Sequence, residues 1–261
     1  MKKLSYFYLF KELLFTDFAI LRQVIVDQSV NLVIWVTANI LVMGYLMPSF
    51  GLAESYGNFI LAGLCGSAGL FGVFPSVVNL VNDFEGDRII DYYMTLPLPS
   101  WLIFVRAMVF YAINFALIGL LVLPIGKLLL WNSFALSEVH FIKYIIIFVL
   151  TNLFYGTFTL WIASRVSNMI KIGNVWMRFV FPVWFFGGFQ FSWYVLASKW
   201  PLFAYLNLLN PITYVMEGTR AAILGQPGYL PFWLCACMLI FFCIICGWHS
   251  IVRLKKRLDF I

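Results

Sequence analysis

Four of the chain's eleven acidic residues, Asp83, Glu85, Asp87 and Asp91, fall within the segment NDFEGDRIIDYYMTLPLPSWLIFVRA. The chemistry this pattern suits is recognition rather than bond-making. Asp87 is placed to cap a short helix, because its side-chain oxygen can accept from the orphan amides of a first turn. Ile89, Ile90, Tyr93 and Met94 then fall near one side of that helix. Pro97 and Pro99 end it, since proline has no amide hydrogen and its ring clashes with the preceding turn. The spacing predicts a short amphipathic helix over 87–96, sharply stopped. Such a helix can dock into a groove on a partner, or tether its two neighbours at a membrane surface.

A second segment, SKWPLFAYLNLLNPITYVMEGTRAAILGQPGYLP, carries an acid and a base at helical spacing. Asn210 suits an N-cap and Pro211 the first helical position. Glu217 and Arg220 are three apart and can pair on one face. Gly225, followed by Gln226, Pro227 and Gly228, predicts a turn. An apolar helix with one ion pair reads as a re-entrant hairpin over 199–226, its backbone shielded by protein. Charges at that depth either touch cargo or hold the hairpin together.

The other reactive side chains do not assemble. Cys65, Cys235, Cys237, Cys243 and Cys246 lie in apolar stretches. The CxxC at Cys243 and Cys246 has no His, Asp or Glu nearby to complete a metal or redox site. These cysteines read as small hydrophobes, and no metal site is expected. His140 and His249 fall at opposite membrane edges, which leaves no acid–His pair for a lipid-modifying enzyme. A phosphate loop around Gly126–Lys127 fails on both sides. Leu121 stands where glycine is required, and Leu128 where Ser or Thr would hold magnesium.

The elements that must position these segments are set by where charge is missing. The chain is 63% hydrophobic and 11% charged, with mean hydropathy +0.94, against about 25% charged residues in an ordinary soluble domain. No Asp, Glu, Lys or Arg occurs in 28–53, 55–82, 107–126, 144–164, 179–198 or 221–252. Each gap can supply the roughly 20 apolar residues that a membrane helix needs. The expectation is an all-α integral membrane protein forming one transmembrane domain over 1–261, with six spans near 29–47, 58–81, 103–125, 141–162, 177–196 and 231–251. Long continuous apolar runs argue against a β-barrel. With the N-terminus inside, thirteen Lys and Arg fall on the cytoplasmic side. Only Lys127, Lys143, Lys199 and Arg220 fall outside. That bias predicts a multi-pass protein of the cell (inner) membrane with both termini cytoplasmic. It also explains the net charge of +6 without nucleic acid. Residues 1–27 mix aromatics and Leu with spaced charges, the pattern of an amphipathic helix lying in the interface; a long extension of the first span is the alternative. Lys11, Glu12, Asp17 and Arg22 interrupt any signal-peptide core.

Within the spans, Gly63, Gly66, Gly69 and Gly72 recur every third residue and permit close helix approach. Pro75 follows and can kink the same helix. The span FVFPVWFFGGFQFSWYVL concentrates rings around Pro182 and Gly187–Gly188. Gly66, Gly69, Trp184, Phe185 and Phe189 are therefore candidates for a pathway lining, though packing explains the same pattern.

The order of these parts resembles the type-2 membrane subunits of ATP-binding-cassette (ABC) exporters. The resemblance covers nearly the whole chain: basic amphipathic start, six spans, FEGDRIIDYYMTLPLPSWLIFVRA on the inside, and NPITYVMEGTRAAILG before the last span. It implies that Glu85, Gly86, Thr95, Leu96 and Pro97 mark a coupling helix touching an ATPase, with Asp87, Arg88, Ile89, Ile90, Asp91 and Tyr93 between them. It likewise implies an outer gate at Asn210, Pro211, Tyr214, Arg220 and Gly225, to which the pairing argument adds Glu217. The family's mechanism implies two such subunits, expected as a homodimer, around a pathway above two cytoplasmic ATPases. ATP and magnesium would bind those partners, and this chain would need no cofactor of its own. The expected function is export of an amphipathic substrate, a lipid, lipid-linked glycan or hydrophobic drug. An intramembrane lipid-modifying enzyme would need converging catalytic groups, and an ion-coupled carrier would need ionisable residues near the midplane. The spans offer neither, and a power source outside the chain fits that absence better.

Overall fold

The computed structural model describes residues 6–86, 88–166 and 168–258, and every regular element among them is helical. The first rod is α1 (Tyr6–Asn39), which passes through a π-helical stretch, Ile40–Leu46, into the single turn α2 (Met47–Ser49). The interfacial helix expected over 1–27 is therefore not a separate element from residue 6 onward. It runs unbroken into the expected first span, because no proline or glycine interrupts 6–43. At 1.5 Å per residue α1 is about 51 Å long, well beyond a hydrocarbon core of about 30 Å.

The next crossing-length helix is α3 (Tyr56–Glu85), which continues through Pro75. After it come the short α4 (Ile89–Met94), α5 (Ser100–Gly119) and α6 (Val122–Leu129). A two-residue turn parts α5 from α6. Pro124 accounts for it, since its ring cannot coexist with a helical Leu120 carbonyl four residues back. The helix α7 (Phe141–Ala163) then matches the span expected at 141–162.

The span expected at 177–196 is not one helix. It is built from α8 (Ile172–Val175), a π-helical stretch Trp176–Val180, and α9 (Phe181–Phe186). Pro182 has no amide for the Arg178 carbonyl, and the ladder widens to π register just before it. Gly188, at φ +87, then turns the chain where other residues would be strained. Three short helices follow, α10 (Trp193–Lys199), α11 (Pro201–Asn207) and α12 (Pro211–Ile223), before α13 (Phe232–Leu258) closes the fold. Five helices among the described residues are thus long and apolar enough to cross a membrane. The region of the sixth expected crossing is broken.

The most buried of the long helices is α3, packed against α5, α7 and α12. Two of these, α7 and α12, are in turn covered by α13, and α1 lies along α5 and α6. Large apolar side chains such as Ile34, Ile142, Ile244 and Trp248 point outward. A water-facing surface would not carry them so densely; a lipid-facing one requires it.

Candidate functional site

The loop after α3 is built by a single carboxylate. Asp83, in the last turn of α3, accepts from the amides of Ile89 and Ile90 at 2.7 and 3.1 Å. It thereby caps α4, the role expected of Asp87, which lies outside the described residues. Gly86 ends α3 by donating to the Asn82 carbonyl at 2.8 Å. Arg88 takes up the left-handed conformation, at φ 51, that lets the chain reverse. Glu85 is exposed and accepts from the Met169 amide at 3.2 Å, tying this loop to the one after α7. At the far end, Thr95 donates to the Tyr92 carbonyl at 2.7 Å, and Leu96 donates to that of Tyr93. Pro97 is exposed beyond that turn, and Pro99 then opens α5.

The faces of α4 divide differently from the sequence reading. Ile90 is buried against the protein's own core, with Tyr93 and Met94 half-buried beside it. The outward row is Ile89, Tyr92 and Thr95, flanked by exposed Arg88 and a half-buried Asp91. An apolar–aromatic stripe is therefore presented to whatever lies beyond this end of the molecule.

What holds α4 from beneath was missed in the sequence. The Arg106 guanidinium of α5 lies 4.0 Å from the centre of the Tyr93 ring. Its Nε is 3.2 Å from Oδ2 of Asp17 on α1, and both side chains are buried. Burial pushes the Asp17 carboxyl up to about 6, against the opposing pull of Arg106. One cation thus joins α1, α4 and α5. These groups line a cavity of about 400 Å³ with Asn79, Asp83 and Asn114. Arg106 sat in the sequence as the last charge before an apolar gap, and nothing local named its partner.

The second candidate segment folds as a hairpin that reaches into the helical body. Asn210 caps α12 as expected, accepting from the Ile212 amide at 3.0 Å, and it also donates to the Val183 carbonyl at 2.7 Å. Tyr214 donates to the Leu208 carbonyl at 2.7 Å. Its ring also meets Phe242, ten residues into α13 and so roughly 15 Å from that helix's start. From there α12 climbs until the Ala222 carbonyl accepts from the His140 amide, where α7 begins. Gly225 turns the chain at φ +94.

Glu217 and Arg220 are almost completely buried and lie 3.9 Å apart. Their hydrogen bonds go to backbone groups of neighbouring elements. Arg220 donates to the carbonyls of Gly188, Phe189 and Phe191, at 2.6, 2.7 and 3.2 Å, and stacks 3.7 Å over Phe59. Glu217 accepts from the amides of Trp193 and Leu230, both at 2.9 Å. The pair therefore staples the turn after α9, the start of α10 and the entry to α13 onto α12. These contacts hold the hairpin together. Gln226 completes the turn, donating to Tyr229 and Leu230 and accepting from Phe232; the sequence marked it only as part of a turn.

The five candidates for a pathway lining separate. Gly66 lies under Thr219 and Val215 of α12, where an added Cβ would come within 3.2 Å of both, so it is a packing residue. Gly69 is crowded by Tyr155 on one side and borders a cavity of about 290 Å³ on the other. That cavity lies between α1, α3 and α5, with Trp35, Phe71 and Phe115 on its walls. Trp184 and Phe189 extend the same aromatic cluster, 4.8 Å apart and within 5.5 and 6.4 Å of Phe71 and Trp35 respectively. Phe185 is exposed on the outer surface of α9.

The family model described as ABC-2 type transporter matches residues 19–224, from within α1 to the end of α12. No curated protein and no solved structure matches the chain.

Proposed function

The chain belongs to the ABC-2 type transporter family and is a permease subunit of an ABC transporter, and from that premise we propose that it exports an amphipathic substrate. Family membership implies an ABC ATPase as partner. In our reading that ATPase is a separate cytoplasmic subunit that binds and hydrolyses ATP. It docks on α4, and a second copy of the chain completes the pathway. The observation that carries this reading is the form of α4: capped from α3 by Asp83, braced from α5 by Arg106, and carrying Ile89, Tyr92 and Thr95 outward. A push on such a helix passes to α1 and α5 rather than being lost in a flexible loop.

The cation bias supports placing α4 and both termini in the cytoplasm of a cell (inner) membrane protein. The hairpin then lies outside, where cargo leaves. A sixth crossing made of α8, α9 and the chain up to Ser192 accounts for the return to the outer side. The cavity bordered by Gly69 lies on the α1–α3 face, with the rings of Trp184 and Phe189 packed behind Phe71 and Trp35 of its walls; we assign it to the pathway. Its walls of aromatic rings suit a lipid, lipid-linked glycan or hydrophobic drug.

A photo-crosslinking amino acid at Tyr92 tests the docking. It is expected to capture an ABC ATPase in cells, while the same probe at exposed Trp131, at the other end of the molecule, captures none. Equal capture at both positions, or none at Tyr92, would refute the assignment.

A further inference from the structure

An apolar groove of about 410 Å³ shares no lining residue with the α1–α3 cavity. Helices α7, α9 and α13 and the hairpin wall it, and Phe158, Trp161, Phe179, Phe186, Phe242 and Cys246 are among its lining residues. Three of these rings form a continuous surface: Phe158 and Trp161 stack at 5.6 Å, and Trp161 and Phe179 at 5.7 Å. Phe186, Leu206 and Leu209 leave the groove open to the exterior.

The groove leads to two arginines. The Arg165 guanidinium lies 3.6 Å over the Trp161 ring, and Arg253 follows Cys246 by two turns on α13. Both anchor on the end of α7, Arg165 to the Trp161 carbonyl and Arg253 to that of Ser164, each at 3.1 Å. Those bonds use one donor from each guanidinium, which carries five. The carbonyls they hold, of Trp161 and Ser164, both belong to the end of α7, which gathers the two cations there. Partial burial first, and the charge of Arg253 second, hold the Arg165 guanidinium below its ordinary range. Neither forms an ion pair with a carboxylate among the described residues. Both are exposed. Like charges held together at the mouth of an apolar groove call for an anion joined to a hydrocarbon chain.

We propose that this groove and the Arg165–Arg253 pair bind an anionic phospholipid of the leaflet on the α4 side, its phosphate on the two guanidiniums and one acyl chain along the rings. Along α13 from Arg253 to Phe242 is about 16 Å, comparable to an extended acyl chain. Basic pockets between membrane helices at this end suit such head groups. The lipid is resident rather than cargo: its site lies between α7, α13 and the hairpin, apart from the α1–α3 cavity assigned to the pathway.

The test is native mass spectrometry of the purified complex, titrated with phosphatidylglycerol or phosphatidylcholine and paired with thermal unfolding. The wild-type complex is expected to retain phosphatidylglycerol in preference to phosphatidylcholine and to unfold at a higher temperature with it. Arg165→Gln with Arg253→Gln should lower that preference on the order of tenfold, whereas Arg22→Gln with Lys199→Gln removes two charges elsewhere and should leave it unchanged. Glycerol phosphate without acyl chains should shift nothing. Equal retention of the two lipids by the wild type would overturn the proposal, as would a full shift from glycerol phosphate alone, which would mean a free-anion site. It would also fail if Leu209→Cys cross-linked to its counterpart in a second copy while no lipid was retained. Should the glutamine variant not fold, the wild-type lipid comparison and Arg165→Lys with Arg253→Lys, expected to keep the preference, still decide.

Discussion

At the scale of single residues, what the sequence could and could not reveal follows from how far each side chain reaches along the chain. Asn210 was legible as a cap because the amide that donates to its side chain is two residues away. The Glu217–Arg220 pairing was legible for the same reason, at three residues. What the pair holds was not legible, since its backbone partners lie at 188–193 and 230. The capping role of Asp83 was not legible, because the amides it serves are six and seven residues on, across a left-handed turn at Arg88. The contacts of Arg220 make a specific forecast. Arg220→Lys keeps the charge but cannot present a planar fork to three carbonyls. Arg220→Met also leaves Glu217 buried without its cation, a loss of roughly 3–5 kcal/mol. Thermal unfolding in detergent should therefore rank wild type above the Lys variant and the Lys variant above Met. A Met variant as stable as wild type would show that the staple is not structural.

At the scale of elements, apolar gaps translated directly into helices: α7 and α13 have apolar length and no internal proline, and α3 continues through Pro75. The exceptions arose at prolines and their surroundings. Pro124 parted α5 from α6, and Pro182 with Gly188 turned the span expected at 177–196 into α8, a π-stretch and α9. The N-terminal helix went the other way: its charges suggested an interfacial piece, but 6–43 has no residue that would separate it from α1. For α4, helical spacing placed the apolar residues on one side, and only the packing showed that Ile90 faces inward while Ile89 and Tyr92 face outward. Its stability should depend on Asp83. Asp83→Ala removes two cap bonds at a cost of about 1 kcal/mol, which should raise hydrogen exchange of the Ile89 and Ile90 amides and weaken ATPase binding several-fold. Asp83→Asn, which can still accept one bond, should lie between. Unchanged exchange in the Ala variant would contradict the capping geometry.

At the scale of the whole molecule, composition alone required a membrane, and the family match over 19–224 runs from the N-terminal helix through the hairpin. Our account treats the chain as a transmission. Force from an ATPase enters at α4, passes through Tyr93 and Arg106 to α1 and Asp17, and reaches helices that border the α1–α3 cavity. The hairpin at the opposite end is stapled rather than loose, so it can move as a body. Such transmission requires the motor to sit on the outward stripe of α4. The most direct measurement is co-purification of the ATPase with Ile89→Glu/Tyr92→Glu, set beside thermal unfolding of the same protein. Both side chains are exposed, so the variant should unfold at the wild-type temperature while losing the ATPase and its transport-coupled ATP hydrolysis. A well-folded variant that keeps a full complement of ATPase would contradict the account.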